Sequence, residues 1–412
     1  MRSEGDRRDC CIAGGGPAGL MLGYLLARAG LKVTVLEKHA DFLRDFRGDT
    51  IHPSTMEVMS RLGLLDDFLK LPHQKVPTVA ANFGGEELIL GDFSHLKVAA
   101  PYVAMMPQWD FLNFLAARAA AFPGYDLRMR TEATGLMTDG GQVTGVRVLG
   151  PEGVGEIPAR LTIAADGRGS VLRQAAGLEV MDLGASIDVL WFRLSRRPGD
   201  TDQTQGRFDR GRIFIMLNRG EYWQCAKVIA KGANARIRDA GIAAFRAELR
   251  PLLPFSDDRT AEIDDWDQVK LLNVQVNRLK RWWRPGFLAI GDAAHAMSPV
   301  GGVGVNLAVQ DAVAAANLLT RPLLAGNATD ADLASVEKRR LWPTRATQAL
   351  QVFAQNRVLA PALAATAPRL RAPLAARLVA RLPYLNCLPA RLIGIGLRPE
   401  LPDLSLPHVK AP

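Results

Sequence analysis

The sequence has little sulfur chemistry, few histidines and no long hydrophobic run. Only 4 of its 412 residues are cysteine. Cys10 and Cys11 are adjacent in an apolar stretch, and Cys225 and Cys387 stand alone, so neither a zinc site nor a disulfide framework has the spacing it needs. They read as small buried apolar residues, and no metal is expected. No run of about 18 or more consecutive apolar residues occurs. The stretch Met1–Asp9 is charged where a signal peptide would be apolar, so a cytoplasmic location is expected. Repeats and low-complexity segments are also absent. A hydrophobic content of 48% argues against disorder and supplies enough apolar material for one large or two medium cores.

Against these absences, glycine is placed with purpose. Cys10–Ala13 is a short apolar run that reads as a buried strand, and Gly14-Gly15-Gly16-Pro17-Ala18-Gly19 follows it with G-x-G-x-x-G spacing. Gly14 permits a tight turn, Gly16 lets backbone approach a pyrophosphate, and Gly19 allows a helix to pack closely on the strand. That helix is predicted from about Pro17 to Gly30, with its free N–H groups and positive dipole end facing the phosphates. A second strand, Leu31–Leu36, ends at Glu37, whose carboxylate suits ribose hydroxyls and disfavours a 2′-phosphate. This stretch announces an adenine dinucleotide without separating NAD from FAD.

Distant segments separate them. Leu161–Ala165 is strand-like and ends in Asp166-Gly167-Arg168-Gly169-Ser170, with Val171-Leu172-Arg173 opening a helix. Phe287–Ile290 is another strand, followed by Gly291-Asp292-Ala293-Ala294-His295 and then by Ser298-Pro299-Val300-Gly301-Gly302-Val303-Gly304-Val305-Asn306 before an alanine-rich helix. A glycine-rich turn lets backbone pass close to a flat ring. The helix starting near Val303 would aim its positive end at a flavin pyrimidine, the edge that gains negative charge on reduction.

These three ordered motifs resemble the signatures of the class A flavoprotein monooxygenases, over nearly the whole chain. The resemblance implies an α/β fold: a Rossmann-like FAD-binding domain of the p-hydroxybenzoate hydroxylase type, a mainly antiparallel β-sheet substrate domain, and C-terminal helices. It implies that Gly14, Gly16, Pro17, Ala18, Gly19, Glu37 and Lys38 hold the adenosine half of FAD. Gly291 and Asp292 would hold the ribityl or pyrophosphate region, and Asp166 is associated with both FAD and a transient nicotinamide cofactor. Arg47 and Gln108 would add flavin contacts, and Pro299, Gly301, Gly302, Val303, Gly304 and Asn306 would surround the ring. His295 reads as an orienter of the pyrophosphate region.

The same resemblance implies a reaction. NADPH or NADH reduces the flavin, O2 adds to it, and the resulting C4a-hydroperoxide hydroxylates an aromatic, polyketide-like or quinone-like small molecule. A single Rossmann fingerprint does not suit a two-nucleotide reductase or the Baeyer–Villiger enzymes. The halogenase pattern W-x-W-x-I-P is absent, since Trp282-Trp283 has the wrong spacing. The alternatives are an FAD-dependent oxidase or dehydrogenase on the same scaffold, and a binding protein that keeps FAD as a relic.

The flavin domain is expected over 1–75, 101–183 and 281–412, with a hairpin at Asp139-Gly140-Gly141. The substrate domain is expected over 76–100 and 184–280. There Trp191, Phe214, Tyr222 and Trp223 are candidates for an aromatic pocket, although strand alternation would send about half of such residues into the core. Arg193, Arg212 and Arg219 are candidates for a carboxylate anchor, or simply exposed sheet residues. His52 is the candidate base near the flavin, and equally a cap before the helix starting near Ser54.

The formal charge is +9, and from Arg357 to Arg398 there are seven arginines and no acidic residue. A solvated basic face that attracts a phosphate-rich nicotinamide cofactor is the favoured reading; weak contact with an anionic membrane surface is the alternative. No nucleic-acid partner is expected.

Overall fold

The computed structural model describes residues 7–43, 50–201, 204–209, 211–364, 372 and 374–409. Arg47 lies outside the described residues.

The apolar strand of the opening motif sits at the centre of a largely parallel sheet. Arg8–Ala13 pairs with Val33–Leu36 on one side and with the end of Gly153–Ala164 on the other, placing Cys10 opposite both Val33 and Leu161. Phe287–Ala289 and Tyr125–Arg128 extend the parallel order at the two sides, and Trp283–Arg284 closes one edge antiparallel. Strands buried on both faces have no polar face to alternate, which is why Cys10–Ala13 and Val33–Leu36 read as continuous apolar runs. The hairpin Glu132–Asp139 to Gln142–Gly150 turns at Gly140 (φ 53°) and Gly141 (φ 84°). Positive φ at both central residues is the two-residue geometry that matches strand twist.

The helices Pro17–Arg28 and Gly304–Leu324 pack on this sheet and on each other. The segment Val300–Leu324 has the length and hydropathy (1.2) of a membrane span, but 78% of that window is buried, and it serves as the central core helix.

The second sheet has seven strands, in the order Lys270–Leu272, Ile187–Ser195, Tyr222–Ala230, Arg212–Asn218, Gln205–Asp209, Thr78–Phe83 and Glu86–Asp92. Its pairs are antiparallel except Gln205–Asp209 with Thr78–Phe83. Alternation divides its side chains cleanly. Leu190, Phe192, Leu194, Phe214, Met216 and Trp223 pack under the helix Ile242–Leu249, whereas Ile187, Val189, Trp191, Ile213, Ile215 and Ala226 belong to a cluster that takes in Val300, Leu359 and Leu363.

The C-terminal segment reaches the second sheet as well as the first. Leu359, Ala362 and Leu363 pack on the second sheet, and Ala390 and Ile393 join Phe93, Val103 and Met105. A leucine–alanine helix face carries no mark of which sheet it will cover.

Phe192 is fully buried, with its ring centroid 5.7 Å from Phe245 and 6.1 Å from Phe214. Phe192→Ala is therefore expected to cost about 3–5 kcal/mol, read as a lowered denaturant midpoint. Trp191→Phe, on the opposite face, should leave that midpoint nearly unchanged.

Candidate functional site

The three fingerprint glycines are needed for different reasons. A Cβ on Gly14 (φ 109°) would lie 2.2 Å from the Ala165 carbonyl oxygen, and one on Gly19 would lie 1.9 Å from that of Gly14. A Cβ on Gly16 would meet nothing within 4 Å. Gly14 and Gly19 thus close the turn against its own framework, while Gly16 fronts open space. Gly16 also caps the helix Pro17–Arg28 without any side-chain hydrogen bond, and no acidic residue occupies the first turn. The N–H groups and positive end of that helix are available to an anion. Pro17 opens it and the buried Ala18 packs behind it. Glu37 is buried at the end of the second strand, where it accepts hydrogen bonds from Gly15 N (3.2 Å) and His39 N (2.9 Å). Lys38 beside it is exposed.

The two later motifs are tied to each other. Arg168 Nε donates to Asp292 Oδ2 at 3.0 Å across 124 residues of sequence. The buried Arg173 donates to the carbonyls of Ala293 (3.2 Å) and Arg168. Asp166 Oδ2 accepts from Leu172 N at 3.3 Å, and its Oδ1 is buried with no partner among the described residues. Burial raises the Asp166 pKa above the ordinary carboxylate value, although hydrogen bonds from Ser170 and Leu172 oppose the rise. Arg168 and Arg173 are site residues the sequence reading passed over; their signal was position, next to the Asp166-Gly167 pair.

Around the glycine-rich loop, Gly301 (φ 79°) and Gly302 (φ 63°) adopt left-handed backbone. A Cβ on Gly302 would lie 2.5 Å from Thr50 Oγ1, whose hydroxyl donates to the Gly302 carbonyl at 2.9 Å. Gly304 faces open space, and the helix it begins is capped by Val303 without a side-chain hydrogen bond. Asn306 Oδ1 accepts from His52 N (3.1 Å) and Thr55 Oγ1 (2.6 Å), while its buried Nδ2 has no partner among the described residues. Pro299 opens the loop, and Gln108 begins the helix Gln108–Ala119.

His52 is placed near this loop. It is buried, its Nδ1–H donates to the Ile393 carbonyl at 3.0 Å, and it precedes the helix Pro53–Arg61 as the N-cap residue without a side-chain capping bond. Burial lowers its pKa to about 4, in spite of backbone acceptors at Ile393 and Gly302. The residue thereby joins the C-terminal helix to the loop.

Behind the loop lies a buried charge network. Asp311 Oδ2 accepts from Gly291 N (3.0 Å) and His295 Nε2–H (2.6 Å), and Oδ1 accepts from Arg340 Nε (2.8 Å). Burial alone would raise the Asp311 pKa, but His295 and Arg340 outweigh it and hold it below the ordinary value. His295 therefore orients the Gly291-Asp292 turn through Asp311. Gly291 (φ 58°) itself sits where a Cβ would come within 3.1 Å of Ala18.

Of the proposed pocket residues, Phe214 and Trp223 lie on the remote face of the substrate sheet, and Trp223 Nε1 donates to Asp200. They are core residues, because strand alternation turned them away. Trp191 lies on the face toward Val300, and its buried Nε1 has no partner among the described residues. Tyr222 stacks under Arg193 at 4.7 Å.

A family profile described as an FAD binding domain matches residues 7–351. The chain belongs to the class A flavoprotein monooxygenases. It is 30% identical over 387 residues to 6-methylpretetramide 4-monooxygenase of Streptomyces rimosus, covering 92% of this chain and 91% of that one. It is 26% identical to para-nitrophenol 4-monooxygenase of Pseudomonas sp. (strain WBC-3), covering 80% and 82%. Its fold is similar to that of OxyS anhydrotetracycline hydroxylase from Streptomyces rimosus, with TM-score 0.74, 26% identity, and coverage of 94% of this chain and 76% of that one. The flavoprotein is an FAD-dependent hydroxylase of the NAD(P)H-using kind, and oxidase or dehydrogenase chemistry without oxygen insertion is not favoured. The open cradle at Gly16, the Asp166 oxygen and Asn306 amide that lack partners among the described residues, and the uncapped helix at Gly304 all fit FAD.

Arg340→Met leaves the buried Asp311 without its guanidinium and is expected to cost roughly 3 kcal/mol or more, measured by thermal unfolding. For His52, a folded pKa of about 4 against 6.5 means the unfolded chain takes up its proton first. Its stabilising contribution is complete above the unfolded value and drains away as pH falls toward the folded one. His52→Asn should therefore lose less stability over that interval, and the pH profile of hydroxylation should keep its shape.

Proposed function

We propose that the flavoprotein hydroxylates a flat, largely apolar aromatic molecule of phenolic, polyketide-like or quinone-like character. The observation that carries this reading is the half-buried Trp191 and Ile215 on an apolar sheet face whose cluster includes Val300 of the glycine-rich loop, with Leu359 and Leu363. The names of its relatives, which include a pretetramide and a nitrophenol monooxygenase, support the same substrate class.

In this reading Gly14, Gly16, Pro17, Ala18, Gly19, Glu37 and Lys38 hold the adenosine half of FAD. Asp166, Gly291 and Asp292 hold its middle, and Gln108 and the segment Pro299–Asn306 border the ring. Bound there, FAD supplies electron transfer and oxygen activation. The free N–H groups near Gly304 stabilise negative charge at the end of the helix. The sheet face excludes water, and the unpaired indole N–H of Trp191 offers a donor to an oxygen substituent on the substrate. The domain division that goes with this reading is 1–75, 101–183 and 281–412 for the cofactor, and 76–100 and 184–280 for the substrate. The four free cysteines accord with a cytoplasmic setting. Exposed Leu374 (83%) and Leu378 (56%) beside Arg377 suit weak contact with an anionic membrane surface.

The deciding experiment supplies polycyclic phenols with NADPH or NADH and isotopically labelled O2. One labelled oxygen atom per product molecule is expected; substrate-stimulated turnover with no label in the product would sink the reading. Trp191→Phe should raise KM for an oxygenated substrate roughly tenfold through the lost hydrogen bond.

A further inference from the structure

An open groove of about 620 Å³ runs along the helix Asp330–Ala354, with walls that include Leu183, Arg278, Leu341, Trp342, Arg345 and Val352. Its volume is that of a small-molecule site. Arg278 enters it from the strand Asn277–Leu279, held by Gln348 Oε1 (3.2 Å) and lying against Met181 Sδ (3.6 Å). Lys338 and Arg345 reach it from the helix. Among the described residues, no carboxylate pairs with any of these three cations. Burial and the nearby charge of Arg345 both lower the Arg278 pKa. Two guanidiniums gathered in a mostly apolar groove without a counter-charge are unfavourable by themselves and become favourable around an anion. Trp342, which is 56% exposed, adds a flat apolar surface at the same place.

The groove shares its helix with the flavin loop. Gln348, which steadies Arg278, donates to the carbonyls of Asn277 (2.8 Å) and Ala296 (3.0 Å). One turn on, Gln351 donates to those of Ser298 and Val300, each at 2.9 Å. A ligand in the groove therefore rests on the helix that fixes the approach to Gly301–Gly304.

We propose that this groove docks the adenosine-phosphate end of the nicotinamide dinucleotide, with phosphate oxygens on Arg278 and Arg345 and the adenine over Trp342. The proposal rests on the monooxygenase reading above, since that reaction requires such a reductant. It commits to a ligand that is both polyanionic and aromatic, which neither an apolar substrate nor inorganic phosphate satisfies.

The test is calorimetric titration of the FAD-loaded protein with NADP+ and NAD+, which bind without reducing the flavin, alongside steady-state kinetics with NADPH and NADH. Arg278→Gln and Arg345→Gln should each weaken dinucleotide binding roughly tenfold, as expected for a lost charge-assisted hydrogen bond. KM for the reductant should rise in parallel, with kcat and FAD content unchanged. Arg278→Lys should recover part of the affinity, and Trp342→Ala should weaken binding without altering its salt dependence. Dinucleotide affinity within about twofold of wild type in the Arg278→Gln, Arg345→Gln double variant would overturn the proposal, as would no binding to the wild type. Arginine-dependent binding with no reduction of the flavin would support the groove and overturn the monooxygenase reading. Reduction indifferent to both arginines would do the reverse.

Discussion

A single buried carboxylate joins most of the molecule's parts. Asp311 has no exposure to solvent, so its charge is tolerable only with its oxygens hydrogen-bonded, and its three partners come from two stretches of chain on either side of it. Gly291 N brings in the turn that holds Asp292, and His295 brings in the strand that follows. Arg340 brings in the outer helix and extends through the Arg398 carbonyl (3.1 Å) toward Glu400. Glu400 is in turn gripped by Arg339 at 2.6 and 2.9 Å. A cofactor turn, the core helix and the C-terminal tail are therefore locked by one desolvated charge.

Close backbone approach is the second constraint. Gly14, Gly19, Gly291 and Gly302 each stand where a side chain would run into backbone or a neighbouring side chain. Gly16 and Gly304 stand at open space, each at a helix N-terminus that lacks a side-chain cap. The contrast separates glycines that build the cradle from glycines that expose it. In the proposed reading, the two helix ends, far apart in sequence, would meet different parts of one extended cofactor.

The C-terminal segment lies beyond the stretch that matches the FAD-binding family, which ends at residue 351. Its helices cover the substrate sheet, and Ile393 meets Met297, Val303 and Leu307 from one side while its carbonyl receives the His52 ring. This cover gives His52 its low pKa. His52, the candidate base, is thus fastened to a distant part of the chain, and burial lowers its pKa.

What the sequence determined by itself was whatever local backbone geometry dictates. The glycine spacing, the strand ending at Glu37, the hairpin at Gly140-Gly141 and the glycine-rich turn at Gly301-Gly302 depend on residues within a few positions, and the motifs around Asp166 and Asp292 were legible for the same reason. Tertiary structure decided everything that depends on a distant partner. Period-2 alternation separated Trp191 from Phe192 and Phe214 from Ile213, but which set faced the flavin loop depended on the helix Ile242–Leu249 covering the other side. The pairing of Arg168 with Asp292, the burial of Asp311 and the three cations gathered beside Trp342 were equally beyond reach, because charge partners are chosen by folding across long sequence separations and leave no periodic trace.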